Sequence, residues 1–411
     1  MVSKLLLQKY AKLAVKVGIN IQKGQMLVVN SPVACYDLTR EIVRSAYEEG
    51  ASYVLVKWSD DVITKDYFTY APMEVITEVP EYVVSQGHFI VDKGAALLSI
   101  TAPTPGLMKD VDGAKLLASA KASNEKMAFM RKYTMSNEGQ WLVLAAPTIA
   151  WAEKVFPELK GEEAQEKLWE AILSACRVTE DNDPIQEWTI HMDKLAKHNQ
   201  MLNEYDFECL KFKNSLGTDL EVKLVEGHIW GGGGEDSKKG VYFAPNIPTE
   251  ETFTMPHSHG VNGRVVATMP LNYQGKLIED FYLVFKDGAV VEYGAKKEED
   301  ALKSLIELDE GSKRLGEVAL ISHDSPISNM NILFYNTLFD ENASCHLALG
   351  NAYPMNMKDS DKMTEEELMN KGYNKSSTHV DFMFGSSDME IVGVKKDGTI
   401  VKVFEKGNFV F

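Results

Sequence analysis

Residues 25–58 read QMLVVNSPVACYDLTREIVRSAYEEGASYVLVKW, a strand, a helix and a second strand in succession. Gln25 to Asn30 is a short apolar run of strand length. Asp37 to Glu49 carries apolar residues at helical spacing and is ended by Gly50, and Ala51 to Trp58 returns to a strand pattern. That alternation predicts a parallel sheet with covering helices. Working outward, Leu5 to Val17 has helical spacing, Ala95 to Ile100 and Trp141 to Ala146 read as strands, and Ala114 to Arg131 between them as a helix. Glu162 to Ala175 and Ile185 to Tyr205 read as further helices. The turn after the first strand is Ser31-Pro32-Val33-Ala34, not a glycine-rich loop, so a dinucleotide or phosphate fingerprint is absent.

The chain has 411 residues, 45% hydrophobic and 25% charged, with a formal net charge of −17. The length predicts two domains, and the balance is that of a globular protein. Such acidity argues against binding nucleic acid over a broad surface, since phosphate contacts need clustered Lys and Arg. The longest apolar runs, such as Trp141 to Ala146 and Val318 to Ile321, are far short of a bilayer span. Met1-Val2-Ser3-Lys4-Leu5 leads straight into an amphipathic pattern without a signal peptide's apolar core. The expectation is a cytoplasmic protein with no membrane partner. Cys35, Cys176, Cys209 and Cys345 are scattered, form no CxxC pair, and read as small buried hydrophobes.

The character of the chain changes near Asp206, which sets the expected domains at 1–205, α/β with a parallel sheet, and 206–411, α+β, β-rich and barrel-like. Phe207 to Lys213 and Asp219 to Leu224 flank a turn at Asn214-Ser215-Leu216-Gly217-Thr218, the pattern of a hairpin. Short strands follow at Leu277 to Phe285, Ala289 to Tyr293, Val318 to Ile321, Val380 to Phe384 and Ile400 to Phe404. Trp230-Gly231-Gly232-Gly233-Gly234-Glu235-Asp236 reads as a flexible loop by composition, because a phosphate cradle would need a Lys-Ser ending and a following helix.

Side chains that carry chemistry gather in this second half. If Thr378-His379-Val380-Asp381-Phe382-Met383 is a strand, His379 and Asp381 project from one face and Val380 and Phe382 from the other. An imidazole beside a carboxylate suits zinc or another divalent first-row metal, although a lone HxD pair is more often an ordinary hydrogen-bonded pair. Three further segments add acids: Glu250 and Glu251 between Pro248 and Pro256, Glu317 at the mouth of an apolar strand, and Glu341 with His346 in Asp340-Glu341-Asn342-Ala343-Ser344-Cys345-His346. Each acid alone reads as a solvated loop or strand-edge residue. Together they supply the oxygen-rich, histidine-poor set that a two-metal hydrolase uses. Glu250 and Glu251, being neighbours, point opposite ways on an extended chain. His257, His259 and His323 read as ordinary histidines outside this set.

The segments Asn246-Ile247-Pro248-Thr249-Glu250-Glu251, Leu338-Phe339-Asp340-Glu341-Asn342-Ala343-Ser344-Cys345-His346-Leu347-Ala348-Leu349-Gly350 and Thr378 to Met383 resemble, in order and approximate spacing, the aminopeptidase T, aminopeptidase S and aminopeptidase II family of dinuclear metallopeptidases. The resemblance implies two divalent metal ions per chain, zinc first, with cobalt, manganese or magnesium as alternatives. Their ligands would be Glu251, Glu317, Glu341, His346, His379 and Asp381, with Glu317 as the bridge. Tyr353 matches the family's active-site tyrosine, and Glu250 is left as a proton shuttle or supporting acid. The implied activity is removal of N-terminal residues from short peptides, with broad side-chain tolerance, through a metal-activated bridging water. The implied partners are peptides with a free N-terminus and a second copy in a homodimer, with Met357 to Tyr373 placed to form the rim of its chamber. Two other readings stay open: a dinuclear metallohydrolase of another amide, and a non-enzymatic peptide-binding protein with a residual metal site.

Overall fold

The computed structural model describes residues 2–411. The chain folds as two compact units, the first running to Ile190 and taking in Gly234–Pro248, the second made of His191–Gly233 and Thr249–Phe411. The change of unit thus lies inside the long helix Pro184–Tyr205, ahead of the junction expected near Asp206. Helical periodicity continues through such a helix whichever core each turn packs against, so the sequence pattern carries no mark of the change.

The first unit holds the parallel sheet. Strands β1 (Met26–Pro32), β2 (Tyr53–Ser59), β3 (Ala96–Thr101), β4 (Trp141–Ala145) and β5 (Asn246–Ile247) pair in the order β2-β1-β3-β4-β5, every neighbour parallel. The central strands are near-continuous apolar runs, and Leu27, Val28, Val29, Ala96, Leu98 and Leu144 are buried, as strands covered on both faces require. The crossover helix Tyr36–Glu48 buries Leu38, Ile42 and Ala46, one stripe at four-residue spacing. The stretch Ala114 to Arg131 is two helices, Gly113–Lys126 and Ala128–Met135, meeting at Met127. Helix Asp61–Tyr70 has no buried residue and hence no apolar stripe to read. It is fixed instead by Asp60, whose side chain accepts from the Val62 and Ile63 N–H groups. Among the described residues no helix is long and apolar enough to cross a membrane.

The second unit is strand-rich. Its larger sheet is antiparallel and runs, in spatial order, Ala289–Gly294, Tyr282–Lys286, Pro256–Val266, Asp219–Leu224, Phe207–Lys213, Glu390–Lys395, Ile400–Glu405 and Asn408–Phe409. The hairpin expected at 214–218 joins two of these strands, and the Asn214 side chain accepts from the Leu216 and Thr218 N–H groups. A smaller antiparallel sheet pairs β6 (Thr252–Thr254), β7 (Leu315–Leu320), β8 (His346–Gly350) and β9 (His379–Met383) in that order. Leu315, Val318, Leu320, Leu347, Leu349 and Phe382 of this sheet pack into one core with Phe212, Phe281 and Phe384. Each such side chain stabilises the fold by roughly 1.5–3 kcal/mol relative to exposure. The run from Met357 to Tyr373 is anchored: Met357, Leu368 and Tyr373 pack against Val225, Met255 and Ala352.

Candidate metal centre

Strand side chains alternate between faces, and directly paired residues share a face. Glu317 pairs with Ala348 and Ala348 with Asp381, so these three form one row across β7, β8 and β9. His346 and His379 each lie two residues from that row and point to the same side. Val318, Leu347 and Phe382 fall on the other side, in the core. Leu315 breaks the alternation. It stands two residues before Glu317 yet packs in the core opposite Leu349, because the register shifts between them and Gly316 is the extra residue of a β-bulge. A Cβ on Gly316 would collide with the carbonyl oxygens of Gly350 and Asn351. The bulge therefore turns Glu317 toward the histidines while Leu315 stays in the core, and it places this acid within the strand rather than at its mouth.

Phe253 of β6 pairs with Ala319, which pairs with His346, so Phe253 lies on the site face. Glu251, two residues earlier, reaches the same cluster, whereas Glu250 Oε2 stands 3.8 Å from His191 Nε2. The same His191 nitrogen donates to the Thr249 carbonyl at 2.7 Å, and the Glu250 N–H donates to Asn342 Oδ1 at 2.7 Å. The glycine run lies alongside: Gly231 exchanges backbone hydrogen bonds with Phe253. Gly232, at φ +128, comes so close to the Glu251 carbonyl that only glycine fits. Far from being a loose loop, the run holds the segment that carries Glu251.

The ligand atoms converge. His346 Nε2 lies 3.3 Å from Glu251 Oε2 and 3.4 Å from Glu317 Oε1. His379 Nε2 lies 3.6 Å from Glu317 Oε2 and 3.4 Å from Asp381 Oδ1. These are two triads, Glu251–Glu317–His346 and Glu317–His379–Asp381, each with its donor atoms within 4.8 Å of one another and both sharing Glu317. Glu341, on the 3-10 turn Glu341–Ala343, stands outside both triads but lines one cavity with Asp381. His257 and His259 pair with each other, ring centroids 6.2 Å apart, and His323 lies by Ser328; none belongs to a triad.

Supporting groups aim both histidines. His346 Nδ1 donates to the Ser344 carbonyl at 3.3 Å and His379 Nδ1 to the Asn351 carbonyl at 2.7 Å, which directs each Nε2 at the cluster. Asn351 is itself clamped, its Oδ1 accepting from the Tyr373 hydroxyl and the Ser376 N–H. Asp309 accepts from both hydroxyls and one N–H of Ser376–Ser377, just before β9. Burial alone would raise the Asp309 carboxyl, but these bonds outweigh it and hold it at about 2. Asp309, Asn342, Asn351 and His191 were not evident as supports in the sequence, for none carries a local pattern; each acts through a partner distant in the chain.

The charge balance is one-sided. Burial, then the carboxylates of Asp381 and Glu251, push Glu341 well up, and burial with the same two neighbours raises Glu317. Burial would lower the imidazoles. Glu251 and Glu317 outweigh it at His346, and Asp381 does so at His379, which is pushed up to about 9. At Asp381 burial is outweighed by His379, and the carboxyl is held low. Tyr353 lies near this charge, its ring centroid 4.7 Å from that of His379 and tilted 47° to it; burial and the surrounding carboxylates keep its phenol protonated. Asp381 Oδ1 is buried without a hydrogen-bond partner among the described residues, its contact with His379 lacking hydrogen-bond geometry. Carboxylate oxygens and aimed imidazole nitrogens, negative in sum and with one acceptor left bare, fit divalent cations.

The family described as thermophilic metalloprotease (M29) matches residues 3–409 of this chain. The chain belongs to that family. It is 48% identical to aminopeptidase 2 of Geobacillus stearothermophilus over 405 residues, 98% of each chain. To aminopeptidase AmpS of Bacillus subtilis it is 46% identical, again over 98% of each. The solved structure of AmpT from Thermus thermophilus superposes with a TM-score of 0.92 at 36% identity, covering 99% of this chain and 100% of that one. Membership of the M29 family makes the protein a peptide hydrolase and implies divalent metal ions as its cofactor.

Because Gly316 alone sets the face of Glu317, Gly316→Ala should weaken both the fold and the site. The expected loss is roughly 1–3 kcal/mol, the scale of overpacking, read as a lower urea midpoint. Gly113→Ala, whose Cβ would meet open space at the start of a helix, should keep the midpoint or raise it slightly. Equal midpoints for the two variants would show that the bulge does not need glycine.

Proposed function

We propose that this protein is a cytoplasmic, metal-dependent aminopeptidase that removes the first residue of short peptides with broad side-chain tolerance. The observation that carries the reading is the pair of triads sharing Glu317 on one face of the small sheet. Glu251, Glu317, Glu341, His346, His379 and Asp381 are the proposed ligands of two divalent ions, zinc first, with Glu317 common to both and Glu341 completing the set. The chemistry thereby belongs to the second unit, His191–Gly233 and Thr249–Phe411. Bound there, the ions would supply Lewis acidity, which lowers the pKa of a water and polarises the scissile carbonyl.

The chain's own groups do the rest. Glu250 would take a proton from the attacking water and return it to the leaving amine, its backbone held by Asn342 and its carboxylate 3.8 Å from His191 Nε2. Tyr353 donates its hydroxyl hydrogen to the oxygen that becomes negative during attack. Support for a homodimer comes from exposed apolar side chains on the helices of the first unit, where Ile63 is 70%, Tyr70 81%, Tyr82 73% and Leu117 73% exposed.

Leucine p-nitroanilide, tested beside its N-acetyl form, examines the reading directly. The free-amine substrate should be cleaved and the acetylated one spared. Chelation should abolish the activity, and elemental analysis should find about two divalent ions per chain. Cleavage of both substrates alike, or an active enzyme without metal, would remove the proposal.

Tyr353→Phe removes one oxygen and almost no volume. Metal content should persist while kcat falls about 100-fold with KM little changed. An unaltered kcat would return Tyr353 to a packing role. For the homodimer, light scattering at micromolar concentration should report twice the chain mass, and a monomer there would discard it.

A further inference from the structure

Beside the cluster lies a cavity of about 60 Å³ whose walls include Leu271, Leu333 and Met383 together with Asn336, Glu341 and Asp381. Nothing in the chemistry above occupies it. Two of its wall residues are proposed metal ligands, so a group seated there lies next to the reacting carbonyl. Met383 stands two residues from Asp381 on β9 and shares its face, which makes the cavity a continuation of the site face. The apolar wall draws on three separate segments, the short strand Leu271–Tyr273, β9 and the residues before helix Thr337–Asp340.

Beside Asn272, Thr337 and Asp340, Asn336 is one of the polar residues that line the cavity. Its Oδ1 accepts from the Leu338 N–H at 3.2 Å as the cap of that helix, which fixes the direction of the amide. Its Nδ2 is left buried, with no hydrogen-bond partner among the described residues. The surrounding turn is held by hydrogen bonds to one carboxylate. Asp340 accepts from the N–H groups of Phe334 at 2.7 Å and Asn336 at 2.9 Å, and Tyr335 between them sits at φ +55. A left-handed tyrosine costs on the order of 1–3 kcal/mol and persists only where its neighbours enforce it. A donor buried and unused in a residue that lines the cavity points to a ligand group that accepts a hydrogen bond.

We propose that this cavity receives the side chain of the substrate's first residue, with Asn336 Nδ2 donating to an acceptor on that side chain. The assignment rests on the aminopeptidase reading and names its substrate class. A volume of about 60 Å³ admits roughly four to six water-sized positions. That suits a leucine or glutamine side chain and is too small for an indole. Within a broad tolerance, the class is peptides that begin with a short or medium residue, leucine and glutamine ahead of tryptophan.

The test is kcat/KM for Gln, Leu, Lys and Trp p-nitroanilides on the metal-loaded enzyme and two variants. Wild type should prefer Leu to Trp by about tenfold or more, and Leu333→Ala should bring the two within about threefold. Asn336→Asp keeps an equally good helix cap but replaces the donor by an anionic acceptor. It should lower Gln relative to Leu about tenfold and raise Lys relative to Leu. Ratios read on one preparation cancel any difference in folded fraction. As a second readout, the crystal structure with bound glutamine should put its side-chain oxygen within hydrogen-bond distance of Asn336 Nδ2. Ratios that stay fixed in both variants of an active enzyme, or glutamine seated elsewhere, overturn the cavity assignment alone. Failure of the wild type to cleave any free-amine substrate overturns the aminopeptidase reading and this inference with it.

Discussion

Mutual repulsion among buried carboxylates governs the second unit. Glu251, Glu317, Glu341 and Asp381 gather around two imidazoles, with Glu317 the member both triads share. Two unit charges about 4 Å apart interact by about 4 kcal/mol at the effective dielectric near a protein surface. Several such pairs act at once here, and burial disfavours the charged forms further. Such a cluster is stable only if something positive enters it or its members take up protons. The raised carboxyls of Glu317 and Glu341 and the raised imidazoles are the second response, and the family's divalent ions are the first.

Holding the acids together falls to the other face of the same sheet. Leu315, Val318, Leu320, Leu347, Leu349 and Phe382 anchor β7, β8 and β9 in the core, while the alternate residues carry the donors. Period-2 alternation thus lets three short strands serve packing and chemistry at once. The exception is Leu315 and Glu317, which share parity and need opposite faces. One extra residue resolves the conflict locally, and close packing of that residue against the Gly350–Asn351 backbone explains why it has no side chain.

Much of this was legible in the sequence, and the limits have a physical pattern. The parallel sheet could be read because apolar strands alternate with a periodic helix in residues 25–58. The sharing of a face by His379 and Asp381 followed from a two-residue spacing. The orientation of Glu317 did not, because a bulge depends on the partner strand's register and leaves little trace beyond a glycine. The Gly231–Gly234 run misled for a related reason: composition shows conformational freedom but not the backbone that will approach it. Helix Asp61–Tyr70 escaped notice because it buries nothing. The supports Asn342 and Asn351 were hidden because each bonds to a segment far along the chain.

The donors also differ in how firmly they are held, and that difference has a chemical consequence. Glu317, His346, His379 and Asp381 ride on paired strands, and Glu251 is pinned by the glycine run and by the pairing of Phe253. Glu341 alone rides on a single 3-10 turn, between Asp340, which fixes the turn at 334–336, and Asn342, which binds the backbone at Glu250. A shift of this turn would move Glu341, the backbone of the proposed proton shuttle and the Asn336 wall together. Strain in sheet-borne donors would be resisted by the whole core, whereas here it is resisted by a few hydrogen bonds of about 0.5–1.5 kcal/mol each. Among the donors, displacement is therefore least costly for Glu341, on this turn.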